Sequence, residues 1–181
     1  MKNKILIIVL AGFLIVALSL LYTNFMDNKI NYTSSFDGIK KKIDEQSSTC
    51  SFDDYFKIVK AEYMINPNEN TIKYSVVFKN ITGKNMSFNY QVYKEKELIA
   101  KYISSIEPSI PANKTLVELP NEKRAIINMD SGFLYPYQSF SELDQTNIDN
   151  LASKIYIEFY CDGKFDYFEM NVKKVNKFSE Y

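Results

Sequence analysis

Residues 71–94 read "TIKYSVVFKNITGKNMSFNYQVYK", and this stretch decides the fold. Even-numbered positions from Ile72 to Phe78 and from Met86 to Val92 are apolar, whereas the odd-numbered positions are mostly polar. A period of two residues is typical of β-strands that bury one face. We therefore predict two strands here. They either pair directly through a five-residue turn that sets Phe78 opposite Met86, or lie in different sheets of a sandwich.

The strongest hairpin signal lies near the carboxyl terminus, where residues 154–175 read "KIYIEFYCDGKFDYFEMNVKKV". The dipeptide Asp162-Gly163 separates two alternating runs, and Asp-Gly favours the positive φ angles of a two-residue turn. Such a turn fixes the register of the two strands. The predicted pairs are Cys161 with Lys164, Tyr160 with Phe165, Phe159 with Asp166, Ile157 with Phe168, Tyr156 with Glu169 and Ile155 with Met170.

Shorter patterns predict the remaining elements. Further strands are expected at Tyr55–Met64, Leu98–Ser104, Thr115–Leu119 and 125–129, and a short helix is expected within 141–153, with Ser141 or Thr146 as its cap. In the first of these strands the apolar parity slips between Ile58 and Val59, which indicates a β-bulge. About seven strands with turns at regular intervals predict an all-β fold, an antiparallel β-sandwich with one short helix, in residues 51–181.

Residues 56–115 read "FKIVKAEYMINPNENTIKYSVVFKNITGKNMSFNYQVYKEKELIAKYISSIEPSIPANKT". The strand ending in "VFKNIT", the following "YQVYK" strand and the proline-centred turn resemble the immunoglobulin-like modules of Gram-positive exported proteins, of the FxLYD kind. The resemblance implies an immunoglobulin-like sandwich in a cell-envelope protein.

The amino terminus carries Lys2 and Lys4, followed by an uncharged apolar run over residues 5–22. As a helix this run would be about 27 Å long, close to the roughly 30 Å of a bilayer core. We predict that residues 1–22 form a transmembrane helix that anchors the chain in the cell membrane through residues 5–22, in a single pass, with the remainder extracytoplasmic. The alternative is a signal peptide cleaved near Ala17-Leu18-Ser19, which would make the protein secreted.

Residues 23–50 are polar and lack a sustained period, which predicts a linker with a short helix at about 36–45. Its lysines 40–42 are expected to be solvated, although contact with anionic lipid is an alternative.

The composition excludes several kinds of chemistry. The chain has no histidine, two cysteines, and 22 basic against 22 acidic residues. A cysteine nucleophile or a zinc site would therefore have no imidazole, and the charge balance does not favour nucleic acid as a partner. Capping and solvation explain the paired carboxylates, such as Asp53 with Asp54. We predict no catalytic residue, no metal site and no cofactor.

Cys50 and Cys161 are the two cysteines, one before the first strand of the sandwich and one at the Asp-Gly turn. In an exported domain we predict a disulfide between them. In the chain-entropy description, closing so long a loop stabilises the fold by about 4–5 kcal/mol. The alternative is two free thiols.

Residues 132–140 read "GFLYPYQSF" and concentrate aromatic side chains outside the predicted strands. If exposed together, Tyr135, Tyr137 and Phe140 would form an apolar surface with hydroxyl groups that recognises a glycan or a protein. The alternative is that this loop folds back and closes one end of the sandwich.

These features together predict a non-enzymatic, membrane-anchored, extracytoplasmic binding or accessory module for a cell-envelope protein or glycan. The alternatives are an immunity or inhibitor protein, a small envelope enzyme, or a structural subunit of a larger surface assembly.

Overall fold

The computed structural model describes residues 2–104 and 117–178, with side chains for all of these except 2–12, 24–26 and 28–30. The helices are α1 (Lys2–Asp44), α2 (Lys96–Tyr102) and α3 (Glu142–Ala152), and short 3-10 helices cover Phe52–Asp54 and Tyr137–Ser139. The strands are β1 (Phe56–Asn66), β2 (Thr71–Asn80), β3 (Met86–Lys94), β4 (Val117–Leu119), β5 (Arg124–Gly132), β6 (Lys154–Cys161), β7 (Lys164–Asn171) and β8 (Lys173–Lys174). Helices make up 34% of the chain, so the fold is mixed α/β and the predicted all-β class is wrong.

The strands form two four-stranded sheets, a first sheet in the order β5-β2-β1-β8 and a second in the order β4-β3-β6-β7. Strands β2 and β3 thus lie in different sheets. The predicted direct pairing of Phe78 with Met86 is wrong, and the alternative placement is confirmed. Both strands nevertheless bury their even-numbered apolar side chains in one common core, as the alternation predicts.

The β6–β7 hairpin has the predicted register, including Phe159 opposite Asp166. Asp162 and Gly163 have φ angles of 52° and 78°, so both central residues of the turn are in the left-handed region. The bulge in β1 is confirmed as well. The register with β2 shifts between Ile58 and Lys60 and leaves Val59 without a cross-strand partner.

A cluster of phenylalanines fills the space between the two sheets. Rings of neighbouring members lie 4.8–5.6 Å apart between centroids. Its members are Phe52, Phe56, Phe78, Phe88 and Phe159. Tilted and edge-to-face contacts at these distances are favourable beyond the burial of the rings themselves.

Helix α2 replaces the strand predicted at Leu98–Ser104. Leu98, Ile99 and Tyr102 are buried, a spacing that places all three on one side of a helical turn. Strand β4 corresponds to the strand predicted at Thr115–Leu119, of which residues 115 and 116 lie outside the described part of the chain. Helix α3 begins after Ser141, whose hydroxyl accepts a hydrogen bond from the Asp144 N–H, as predicted for an N-cap.

Helix α1 is continuous to Asp44, so the segment predicted as a linker is mostly helical. Its carboxyl-terminal part packs on the outer face of the second sheet, where Phe36 and Ile39 are buried against Tyr93 and Tyr156. Salt bridges join Lys40 to Glu169 and Lys42 to Glu158 at this contact. The molecule therefore has three layers: a helix, a sheet and a second sheet.

The predicted membrane anchor at residues 1–22 is corrected by the structure. Among the described residues, no helix combines the length and the apolar character needed to cross a membrane. The apolar run is the first part of a longer helix, which becomes polar after Tyr22 and packs on the sheet further on. The single-pass membrane localisation predicted from this run is therefore contradicted.

Candidate functional site

The loop that follows β5 is fixed from two sides by hydrogen bonds of its backbone. The Phe133 N–H donates to the Asn70 carbonyl at 3.2 Å, and the Tyr137 N–H donates to the Asn70 side-chain oxygen at 2.7 Å. From the other side, the Leu134 N–H donates to the Tyr102 carbonyl of α2 at 2.7 Å. The loop is thus tied both to the β1–β2 turn and to α2.

Five aromatic rings meet around this loop, and Phe140 lies at their centre. Its ring centroid is 5.6 Å from that of Tyr102, 6.1 Å from Phe133, 6.3 Å from Tyr135 and 6.5 Å from Tyr137. We call these five residues the aromatic end. The structure thereby brings together all three residues predicted as a binding surface, Tyr135, Tyr137 and Phe140.

The members of the aromatic end differ in exposure. Phe133 is buried, and Tyr137 and Phe140 are half-buried against the main core. Tyr135 is 65% exposed, and its neighbour Leu134 is also exposed. Two of the three predicted residues therefore support the loop, and Tyr135 alone presents most of its ring to solvent.

Sequence reasoning missed Leu134 and Tyr102 as members of this region. Leu134 lies inside the quoted aromatic segment, so its position was available as a signal. Tyr102 carried no such signal, because its segment was predicted to be a strand rather than helix α2.

A hydrogen-bonded group connects the aromatic end to the start of α3. The Tyr102 hydroxyl donates to the Asp144 carboxylate at 3.1 Å, and the Ser141 hydroxyl donates to the same carboxylate at 2.6 Å. These bonds, that from Ser141 above all, lower the pKa of Asp144. Asp144 is therefore an ionised anchor that holds α2 and α3 together.

Buried tyrosines account for most of the strongly shifted groups in the described part of the chain. Burial is the main cause of the raised pKa of Tyr63, Tyr74, Tyr93 and Tyr156. A phenol with a raised pKa stays protonated at neutral pH and serves as a packed, hydrogen-bonding core residue. Within residues 2–104 and 117–178, no group of three or more Cys, Asp or Glu side chains is arranged to hold a metal ion.

Cys50 and Cys161 are free thiols, so the predicted disulfide is wrong. The Cys161 side chain lies in the main core, where its sulfur is 3.5 Å from the Ser87 carbonyl. The backbone of Cys50 instead follows the edge of β7, where its N–H donates to the Phe165 carbonyl. Burial raises the pKa of Cys161 to about 11, which makes its thiol a poor nucleophile at neutral pH.

Comparison with known protein families finds no match, and no curated protein shows significant similarity to the chain.

Proposed function

We propose that this chain is a non-enzymatic binding module that recognises another protein through the aromatic end, with Tyr135 as the principal contact. One observation carries the proposal: Tyr135 is 65% exposed on a loop whose backbone is hydrogen-bonded from two sides. An exposed aromatic ring on a fixed loop is a feature of recognition sites, because loops held by a scaffold commonly carry binding residues.

The fixed loop lowers the cost of binding. Association normally loses free energy as interface side chains and loops become ordered. Here the ring of Phe140 packs edge-to-face against that of Tyr135, with 83° between the ring planes. The Asn70 side chain holds the loop by accepting a hydrogen bond from the Tyr137 N–H. Tyrosine adds a large contact area with few rotatable bonds, which is why it is enriched among the residues that dominate interfaces.

The neighbours of Tyr135 favour a protein over a glycan as the partner. Leu134, the preceding residue, is also exposed. An aliphatic side chain next to an aromatic one suits an apolar protein surface, whereas a glycan needs polar groups around the stacking ring. The tyrosine hydroxyl remains available for a hydrogen bond at the rim.

The titratable groups support binding rather than catalysis. The described tyrosines with the largest pKa shifts are buried and protonated, and the thiol of Cys161 has a raised pKa. Catalytic groups are usually shifted in the direction that makes them reactive near neutral pH. A small enzyme and an inhibitor stay alternatives, and the identity of the captured partner separates them.

The test is affinity capture with matched variants of the full chain. We expect Tyr135→Ala to reduce capture of the partner at least about tenfold while changing the free energy of unfolding by less than about 0.5 kcal/mol, as is usual for exposed positions. Val59→Ala is the control, since Val59 is exposed on the β1 bulge, where no binding is proposed. Unchanged capture by Tyr135→Ala, or retention on a glycan in place of a protein, would contradict the proposal.

A further inference from the structure

The outer face of the second sheet carries exposed aromatic rings beyond the part that α1 covers. Helix α1 packs over Tyr93 and Tyr156. Nearer to the turn between β6 and β7, Tyr160 and Phe165 lie directly opposite each other and are 36% and 38% exposed. Their ring centroids are 4.7 Å apart. Most aromatic side chains of this chain serve its core, so an exposed pair on a sheet face is a candidate binding surface.

Tyr167 extends the pair to a row of three rings, and we call Tyr160, Phe165 and Tyr167 the aromatic platform. The planes of the Phe165 and Tyr167 rings differ by 2°, and their centroids are 6.0 Å apart. Lys42 of α1 holds the Tyr167 ring. Its amino group lies 4.4 Å from the ring centroid and donates to the Tyr167 hydroxyl at 3.3 Å. The carboxyl-terminal part of α1 therefore borders the platform on one side.

The backbone that carries the platform is fixed on both sides of β7. On one side β7 pairs with β6 over its whole length. On the other side the Phe165 carbonyl accepts from the Thr49 N–H at 2.8 Å, and the Phe165 N–H donates to the Thr49 hydroxyl at 2.9 Å. The Tyr167 N–H donates to the Ser48 hydroxyl at 3.0 Å. Because these rings stand on a fixed backbone, a ligand would lose little free energy by ordering them.

Polar side chains lie next to the rings on the same face of the sheet. Asn89 of β3 is the cross-strand neighbour of Tyr160, and Glu158 of β6 is that of Tyr167. Both polar side chains are half-buried. An asparagine amide both donates and accepts hydrogen bonds, whereas a carboxylate accepts them. Ligand sites commonly combine aromatic walls with a few polar groups of this kind, which fix the orientation of the ligand.

The charged groups around the platform favour an uncharged ligand. Lys42 Nζ lies 3.6 Å from a carboxylate oxygen of Glu158, so the two charges that border the platform neutralise each other. At the nearby turn, Lys84 Nζ lies 3.7 Å from a carboxylate oxygen of Asp162. A nucleic acid would require a basic surface. Paired charges of both signs do not provide one.

We propose that the aromatic platform binds a neutral glycan, with a pyranose ring stacked on Phe165 and Tyr160 and its hydroxyl groups hydrogen-bonded to Asn89 and Glu158. One face of a pyranose ring presents C–H groups that pack against an aromatic ring, and its edge carries hydroxyl groups that donate and accept hydrogen bonds. The platform offers both kinds of contact. The aromatic end differs, because the exposed residue that precedes Tyr135 is aliphatic.

The inference does not depend on the proposed function, because the two surfaces share no residue. The aromatic end follows β5 of the first sheet, whereas the aromatic platform lies on β6 and β7 of the second sheet. A chain with both surfaces would hold a partner protein close to a glycan. Each surface can be removed without changing the other.

The test is an NMR titration of the full chain with two soluble neutral oligosaccharides, chitohexaose and cellohexaose. A mild detergent without a sugar headgroup covers the exposed apolar side chains of α1. We expect at least one oligosaccharide to bind with a Kd of about 1 mM or tighter and to shift the amide signals of Tyr160 and Phe165. Phe165→Ala should weaken this binding at least about tenfold, whereas Phe165→Tyr, which keeps a ring, should stay within about threefold of wild type.

Two further variants make the result specific. Tyr135→Ala should bind the oligosaccharide as wild type does, which separates this inference from the proposed function. Asn89→Ala keeps all three rings and should weaken binding about fivefold, because one hydrogen-bonding group is lost. Circular dichroism checks folding, and if Phe165→Ala does not fold, Asn89→Ala and the pattern of amide shifts still decide.

Three results would overturn the proposal. The first is the absence of amide shifts at about 10 mM of either oligosaccharide, a concentration that would detect even weak binding. The second is an affinity that neither Phe165→Ala nor Asn89→Ala changes. The third is binding of a proline-rich peptide, another common ligand of aromatic surfaces, in place of both oligosaccharides.

Discussion

Tyr32 joins α1 to the second sheet by completing the backbone hydrogen bonding of β3. Its hydroxyl donates to the Lys94 carbonyl at 2.8 Å and accepts from the Lys94 N–H. On one side β3 pairs with β6 as far as Lys94, which lies opposite Ile155. On the other side β4 pairs only with Met86–Phe88, so in the described part of the chain no strand lies on that side of β3 at Lys94. A single hydroxyl therefore takes the place of a neighbouring strand, and Tyr32→Phe removes both of its bonds.

The expected loss of stability follows from leaving two backbone groups without partners in a buried place. Lys94 is buried, and its hydrogen bonds with the half-buried Tyr32 are partly buried, so burial raises the pKa of the Tyr32 hydroxyl. An unsatisfied buried group costs about 1–3 kcal/mol, so we expect Tyr32→Phe to lower the free energy of unfolding by about 2–4 kcal/mol. If the free energy of opening at Lys94 falls by about 3 kcal/mol, exchange of its amide hydrogen should become roughly a hundredfold faster.

Urea denaturation followed by circular dichroism measures the first quantity, and native-state hydrogen exchange measures the second. Tyr22→Phe is the matched control, because Tyr22 lies on the same helix with its ring exposed to solvent. We expect no change in that variant. A Tyr32→Phe protein within about 0.5 kcal/mol of wild type, with unchanged exchange at Lys94, would refute the assigned role of Tyr32.

Three further predictions concern other parts of the fold. Gly163→Ala should lower the free energy of unfolding by about 1 kcal/mol. The cause is the backbone, because φ is 78° at this position, whereas no neighbouring atom obstructs a Cβ. Urea denaturation measures the loss, and no measurable loss would show that the turn has a different backbone conformation. Thiol titration should find Cys50 reactive in the folded protein and Cys161 reactive only after unfolding, and fewer than two titratable thiols after unfolding would contradict the free cysteines. The contribution of the buried tyrosines to stability should be fully present below about pH 10, where tyrosines of the unfolded chain are protonated. It should be lost as the pH rises toward their pKa in the folded protein, which is about 12 for Tyr93. Equal urea midpoints at about pH 8 and pH 11 would contradict this.

The parts of the fold that sequence predicts well are those with locally fixed geometry. The two-residue turn at Asp162-Gly163 determines every pair of the β6–β7 hairpin, and the slip in parity locates the bulge at Val59. The partners of β2 and β3 could not be read in the same way, because burying even-numbered side chains satisfies both arrangements. Only the assembled sheets distinguish them.

The helices show a different limit. Helix α2 has seven residues, too few for a helical period to stand out from an apolar run. Helix α1 changes from apolar to polar along its length, and its packing on Tyr93 and Tyr156 depends on residues more than 50 positions away. The aromatic end combines both cases. Its residues are visible in the sequence, but a loop has no parity that tells the exposed Tyr135 from the half-buried Tyr137.

Site-specific photo-crosslinking tests most directly whether Tyr135 meets a partner protein. A benzophenone-bearing phenylalanine analogue is placed at position 135 and, as the control, at position 59, and the full chain is irradiated in its native cells. We expect one predominant protein adduct from position 135 and none of that adduct from position 59. The absence of an adduct at position 135, or the same set of adducts from both positions, would contradict the account.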